Sequence, residues 1–162
     1  TVEGDAGVQW FELFLDGRRI HRSAPGKDIS LGTEGCSEGW HELRVVALAG
    51  PLLTQGRKII PFRVDRGAPE MEVMEAPTGT VVAGSEIRVS AALKGARSIA
   101  LYQNRRRVAR IRGESGTMAI KTKTLGAGPV RLQPAGLLGG KRVWGPVLRF
   151  KLVRPDRAAS AE

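Results

Sequence analysis

The residues best placed to do chemistry are basic. Arg105-Arg106-Arg107 with Arg110 and Arg112 put five guanidinium groups into eight positions, and Lys121 and Lys123 follow on the next run. Residues 1–67 hold nine Lys/Arg and nine Asp/Glu; residues 68–162 hold 17 and 7, so the whole formal charge of +10 lies in the second part. A face of this kind suits an anionic polymer, whether acidic glycan, phosphate-rich envelope material or nucleic acid. It equally suits docking on an acidic upstream domain or partner protein, or plain solvation. Trp144, beside Lys141-Arg142 and Gly145-Pro146, is the tryptophan expected to be exposed and to stack on a sugar. Trp10 and Trp40 stand where strands begin, and core or rim packing is expected of them. Tyr102 is the sole tyrosine and no aromatic stacking platform is apparent, so nucleic acid is not the expected partner.

Other chemistries find little support. His41 and Glu42 are neighbours in a strand pattern and point to opposite faces, so they cannot share one ion. His41 is expected to be packed and hydrogen-bonded, and His21 stands among Arg19 and Arg22, which disfavours a cation there. Cys36 is the only cysteine, which leaves no intrachain disulfide and no zinc site built on cysteines. It has no Lys or Arg within three positions to favour a thiolate, and it reads as a bystander. Asp5, Asp16, Asp28, Glu34 and Glu38 carry calcium-type oxygens without forming a dense Asp-x-Asp-x-Asp run. No Gly-x-Ser-x-Gly elbow, phosphate loop or dinucleotide fingerprint occurs. Thr1 reads as a boundary of a segment cut from something longer rather than as a nucleophile. No catalytic residue, metal or cofactor is expected, and no run of about 18 apolar residues is present to cross a membrane as a helix.

The elements that must position the arginines centre on one strand pattern. In Gly39-Trp40-His41-Glu42-Leu43-Arg44-Val45-Val46-Ala47-Leu48, apolar Leu43, Val45 and Ala47 alternate with their neighbours at period two. A weaker copy begins at Gly128, with Leu132 standing 89 positions after Leu43. Ile99, Leu101, Val108 and Arg110 follow Phe11, Leu13, Ile20 and Arg22 at 88, and Met118 and Ile120 follow Ile29 and Leu31 at 89. Leu148, Phe150 and Leu152 return to 88 after Ile60, Phe62 and Val64. The repeat predicts two small all-β domains, 1–67 and a strongly basic 68–155, then a flexible tail over 156–162.

Within the first, Asp16-Gly17 between extended runs predicts a tight hairpin, since both central residues of a type I′ turn take positive φ. Residues 28–31 are expected to form a short strand and 52–58 a long connection, with Gly50-Pro51 ending the central strand. Pro61 predicts an edge or a bulge in the last strand. The second domain adds two strands, at 71–74 and 87–93, for which the first has no counterpart. Either those strands lie upstream, or a partner chain supplies them, or the first domain is simply shorter; an unfilled sandwich exposes edges that invite pairing.

The run Phe11–Ile20 ending its first strand in Asp16-Gly17, followed by the Gly-x-His-x-Leu-x-Val-x-Ala strand of Gly39 to Ala47, resembles the bacterial immunoglobulin-like domains. The resemblance covers about residues 8 to 66 and reaches 70–154 only through the internal repeat. It implies two tandem immunoglobulin-like Greek-key β-sandwiches, the first lacking its N-terminal strands, with no enzymatic activity to carry over. Such modules are accessory parts of exported, surface or carbohydrate-active proteins, which sets the expected location as extracellular, cell-surface or periplasmic. Leu48-Ala49-Gly50-Pro51 replaces the acidic residue and Gly-Asn turn of many members, which weakens the expectation of calcium at the domain junction. The expectation is a non-catalytic accessory module acting as spacer or interaction scaffold. The alternative is a binding module for acidic glycan or nucleic acid through Arg105, Arg106, Arg107, Arg110 and Lys121.

Overall fold

The computed structural model describes residues 7–49 and 54–155, and the expectations for Asp5, Gly50-Pro51 and the 156–162 tail lie outside those residues. Thirteen strands and one 3-10 turn (Thr122–Thr124) make the described chain all-β. It divides into two compact units. Among the described residues, 7–36, 41–49 and 54–64 form the first; 37–40 and 65–155 form the second.

In the first unit β1 (Val8–Leu15) pairs antiparallel with β2 (Arg18–Ser23) and with β3 (Glu38–Ala49), and β4 (Thr54–Val64) pairs with β3. The turn between β1 and β2 has Asp16 at φ 48° and Gly17 at φ 82°, and Leu15 faces Arg18 across it. That is the two-residue turn the Asp-Gly pair predicts. Leu13, Val46 and Val64 are buried in this unit. The long connection expected at 52–58 is instead strand from Thr54 onward, and Pro61 sits in a strand whose described ladder partner is β3 alone.

The second unit closes as a sandwich. One sheet is β10 (Ser115–Lys121), β7 (Glu86–Ala92) and β5 (Glu72–Glu75), in that order. In the other, β8 (Ser98–Gln103) lies between β9 (Arg106–Arg112) and β11 (Gly128–Leu138). β11 also pairs with β12 (Lys141–Trp144) and β13 (Leu148–Val153), and β13 runs parallel to β6 (Thr80–Val82). The chain changes sheet between β7 and β8 and again between β9 and β10. Alternate residues of the facing strands meet inside: Ile87, Val89 and Ala91 from β7, Met118 and Ile120 from β10, Ile99 and Leu101 from β8, Leu132 from β11 and Phe150 from β13. Thr122 closes one end of this core. It is 1% exposed, its hydroxyl donates to the Ser85 carbonyl at 2.7 Å, and it accepts the Gly84 N–H at 2.8 Å.

Ladder for ladder, the two units use the same register. Leu13 faces Val45 and Phe11 faces Ala47; 88 and 89 positions on, Leu101 faces Pro134 and Ile99 faces Gly136. The β1–β2 ladder slips between Leu13 and Phe14, and the β8–β9 ladder slips between Leu101 and Tyr102, the matching place. The bulge leaves Ile20 and Val108 as the extra residues.

Residues 28–31 do not form the expected strand. Their counterparts in the second unit, within β10, are held by a full ladder to β7 from Ser115 to Lys121. No strand matching β7 occurs among the described residues of the first unit, so an isolated four-residue run has no ladder to join, and Leu31 is 38% exposed where Ile120 is 4%. Ser37–Trp40 also departs from a boundary at Gly67. These residues belong with the second unit, where Glu38 and Gly39 pair parallel with Val143 and Trp144.

Asn104 at φ 47° and Arg105 at φ 72° repeat the Asp16-Gly17 turn without its glycine. A side chain in that region crowds its own carbonyl, and an arginine there offers no compensating local hydrogen bond. Arg105→Gly is expected to stabilise the second unit by about 1 kcal/mol, after allowing for the extra freedom glycine gives the unfolded chain. It should appear as a higher urea midpoint with an unchanged slope.

Candidate functional site

β9 alternates across its sheet, and the bulge at Val108 decides which arginine goes where. Ile99 and Leu101 are fully buried, so their partners Ile111 and Ala109 lie on the inner side of β9. Arg107, opposite Tyr102, and Arg110, opposite Ala100, therefore stand on the outer face. Arg112, opposite Ser98, shares that face further along. Arg106 lies opposite Gln103 on the inner-facing register at the exposed end of the hairpin, and Arg105 occupies the turn itself. Lys121 ends β10 in the other sheet, and Lys123 lies in the 3-10 turn after it. The seven basic residues singled out in the sequence thus divide. Arg107 and Arg110 converge, whereas Arg105, Arg106, Arg112, Lys121 and Lys123 do not join them.

What they converge on is a trough of about 180 Å³ lined by Ser98, Ala100 and Tyr102 of β8, Arg107 and Arg110 of β9, Ala135, Gly136 and Leu137 of β11, and Arg142 of β12. The floor is made of small residues. Ala100 and Ala135 face each other in the ladder and are nearly covered, at 8% and 4% exposure. Arg107 and Arg110 wall one side and Arg142 the other. Arg110 Nη2 donates to Ser98 Oγ at 3.2 Å. Arg142 Cζ lies 5.1 Å from the Tyr102 ring centre and 5.3 Å from that of Trp144, close enough for the cation to feel both ring faces. Tyr102 and Trp144 meet edge to face, with centroids 5.3 Å apart and planes at 62°. No carboxylate among the described residues lies within ion-pair distance of Arg107, Arg110 or Arg142. Three guanidinium groups with free donors face a shallow, aromatic-ended depression, an arrangement able to hold a carboxylate, sulfate or phosphate by paired N–H donors.

Sequence reasoning missed Arg142 as a charge carrier and Tyr102 as a wall. Arg142 reaches the trough through the β11–β12 ladder, far from the arginine run in the chain, whereas Tyr102 stands three positions before Arg105 and faces Arg107 across the β8–β9 hairpin. Trp144 does stand at the site, but it is half-buried against Tyr102 rather than presented as a free platform.

The remaining candidates are accounted for by packing. His41 is 3% exposed, with Nδ1 2.6 Å from Asp16 Oδ2, and its ring stacks on Phe62 at 5.6 Å. Asp16 Oδ1 also accepts the Glu42 N–H at 3.0 Å, so both oxygens of that carboxylate tie the β1–β2 turn to β3. Glu38 accepts the Arg66 N–H. His21 is exposed on β2, and Cys36 is half-buried, its backbone N–H donating to the Thr33 carbonyl at 2.9 Å. The Trp40 indole N–H donates to Glu70 at 3.3 Å, and Gln133 Nε2 donates to the Trp40 carbonyl at 2.9 Å. No group of three or more His, Cys, Asp or Glu side chains able to hold a metal occurs among the described residues. No described helix is long and apolar enough to cross a membrane.

No family model and no curated protein matches the chain. Among solved structures it is similar to the fibronectin(III)-like modules of Clostridium thermocellum CbhA, at 14% identity over 100% of this chain and 85% of that one, with a TM-score of 0.42. It is also similar to the N-terminal Ig1-2 module of the Drosophila receptor protein tyrosine phosphatase DLAR (9% identity, 88% of this chain, 83% of that one, TM-score 0.39). A third similar structure is Bacteroides ovatus SGBP-B in complex with mixed-linkage heptasaccharide (13% identity, 87% of this chain, 37% of that one, TM-score 0.38).

Proposed function

We propose that the chain is a non-catalytic accessory module of a larger protein, built from two copies of one immunoglobulin-like arrangement, whose second copy holds an anionic polymer. The trough carries the reading. Arg107, Arg110 and Arg142 surround a floor of small side chains and have no carboxylate of their own among the described residues. Duplication is supported by the shared ladder register and by the bulge at matching positions in β2 and β9. The lining of the trough holds three guanidinium groups and no carboxylate or imidazole to act as a base beside the Ser98 hydroxyl, so recognition is the chemistry it suits. The immunoglobulin-like resemblance supports a setting outside the cytoplasm, where a rigid sandwich spaces its neighbours and attaches them to a surface.

Chromatography on immobilised heparin tests this reading with charge held constant. Arg107→Ser/Arg110→Ser/Arg142→Ser empties the trough of cations, whereas Arg106→Ser/Lys121→Ser/Lys123→Ser removes the same charge from elsewhere. The first triple variant is expected to elute at much lower salt than the parent, and the second near it, because only contacts that release counterions at the site set the salt dependence. Equal losses in both would show that net charge alone retains the protein and would remove the trough from the account.

A further inference from the structure

The first unit contains the same two arginines in the same places, already satisfied. Arg19 and Arg22 stand 88 positions before Arg107 and Arg110, opposite Phe14 and Glu12 in the ladder as the later pair stands opposite Tyr102 and Ala100. There, Arg19 Nη1 lies 3.2 Å from Glu12 Oε1, and Arg22 Cζ lies 4.6 Å over the Trp10 ring. The residues matching Glu12 and Trp10 in the second unit are Ala100 and Ser98. Arg110 leans on Ser98 as Arg22 leans on Trp10. Two side chains fill the face of one unit, and the other unit carries the arginines without either of them.

We infer that the trough takes what those side chains supply in the first unit: a carboxylate joined to a flat, largely apolar ring, which in polymer form is a uronate residue of an acidic polysaccharide. The inference rests on the anion-binding reading and narrows it. The carboxylate takes the place of Glu12 between Arg107 and Arg110. The C–H face of the sugar ring covers the Ser98–Ala100 floor where Trp10 would lie, and Tyr102, Trp144 and Arg142 bound the next ring along. An acidic peptide carries similar groups but fits less well. β8 is paired on both sides, by β9 and β11, and Ala135–Leu137 of β11 is paired by β8 and β12. The floor therefore offers no free N–H or C=O for strand addition, the usual source of affinity for an extended peptide, and the edge that β9 leaves unpaired among the described residues lies beyond the wall rather than over the floor.

Isothermal titration of the whole chain separates these possibilities, with four probes: oligogalacturonate, its methyl ester, dextran sulfate, and a peptide of alternating Trp and Glu. The free oligogalacturonate is expected to bind, and the ester, which keeps the ring and loses the charge, to bind at least about tenfold more weakly, the share of one charge-assisted pair. Dextran sulfate and the peptide are expected to compete weakly, and Arg110→Ser to lose the oligogalacturonate signal. Tighter binding of dextran sulfate, lost in Arg110→Ser, would overturn the uronate assignment and leave anion binding at the trough standing. Tighter binding of the peptide would assign the trough to protein instead. Binding of oligogalacturonate unaffected by Arg110→Ser would overturn both.

Discussion

Gly39→Ala is expected to destabilise the second unit by roughly 3 kcal/mol or more, the combined cost of a positive φ and an overpacked contact. Gly39 has φ 101°, a conformation that side chains avoid, and it is buried. A Cβ there would fall on the backbone nitrogen, carbon and oxygen of Trp144. A flexible side chain could swing away from such a contact, but a paired backbone cannot. β12 must either leave its parallel pairing with Glu38 and Gly39 or shift as a whole, and Arg142 and Trp144 move with it. Thermal unfolding followed by tryptophan fluorescence should show the loss, and heparin retention should fall in the residual folded fraction. An unchanged midpoint would mean that β12 is not held where the structure has it.

Leu101→Ala should cost about 2–5 kcal/mol, the range for deleting a buried leucine when its cavity cannot collapse. Leu101 has no exposed surface and belongs to the cluster that both sheets of the second unit enclose. Leu13 occupies the same register position in the first unit and is 4% exposed, but only one sheet is formed there among the described residues. Its neighbours are freer to relax, so Leu13→Ala should fall at or below the lower end of that range. Urea unfolding of the two variants, read by hydrogen exchange within each unit, compares one substitution in two settings. Equal costs would contradict the contrast between an open and a closed layer.

The hairpins were legible because their signals are local. Asp16-Gly17 and Asn104 mark turns through residue chemistry alone, and period-two alternation marks the strands either side. The strand missing at 28–31 was not legible, because its apolar alternation is real and what cancels it is that no β7-like partner occurs among the described residues. Gly39 reads in sequence as a turn residue, yet it is a strand position needing room for another backbone, and the partner stands over a hundred residues away.

The site was half visible. Charge concentration pointed to the second unit and to β9. However, a run of arginines in a strand divides between two faces, and one bulge resets the division at Val108. Lys121 and Lys123 are near Arg112 in the chain but lie in or beside the other sheet, so chain proximity does not bring them to the trough. Arg142 entered through non-local pairing, whereas Tyr102 lies across the hairpin from Arg107 and was placed by the register of that hairpin. One signal was available throughout: aligning the repeat at 88 sets Trp10 and Glu12 against Ser98 and Ala100, a loss of one ring and one carboxylate beside two retained arginines.

Restoring half of that exchange is the most direct test of where the ligand sits. Ala100→Glu places a carboxylate where Glu12 stands in the first unit, within the span of Arg107 and Arg110. Oligogalacturonate affinity of this variant should fall by about tenfold or more, since the incoming carboxylate meets an internal competitor already in place, while the unfolding midpoint stays equal to or above that of the parent. Undiminished affinity in a folded Ala100→Glu protein would show that the ligand does not sit between those arginines, and the central claim would fall.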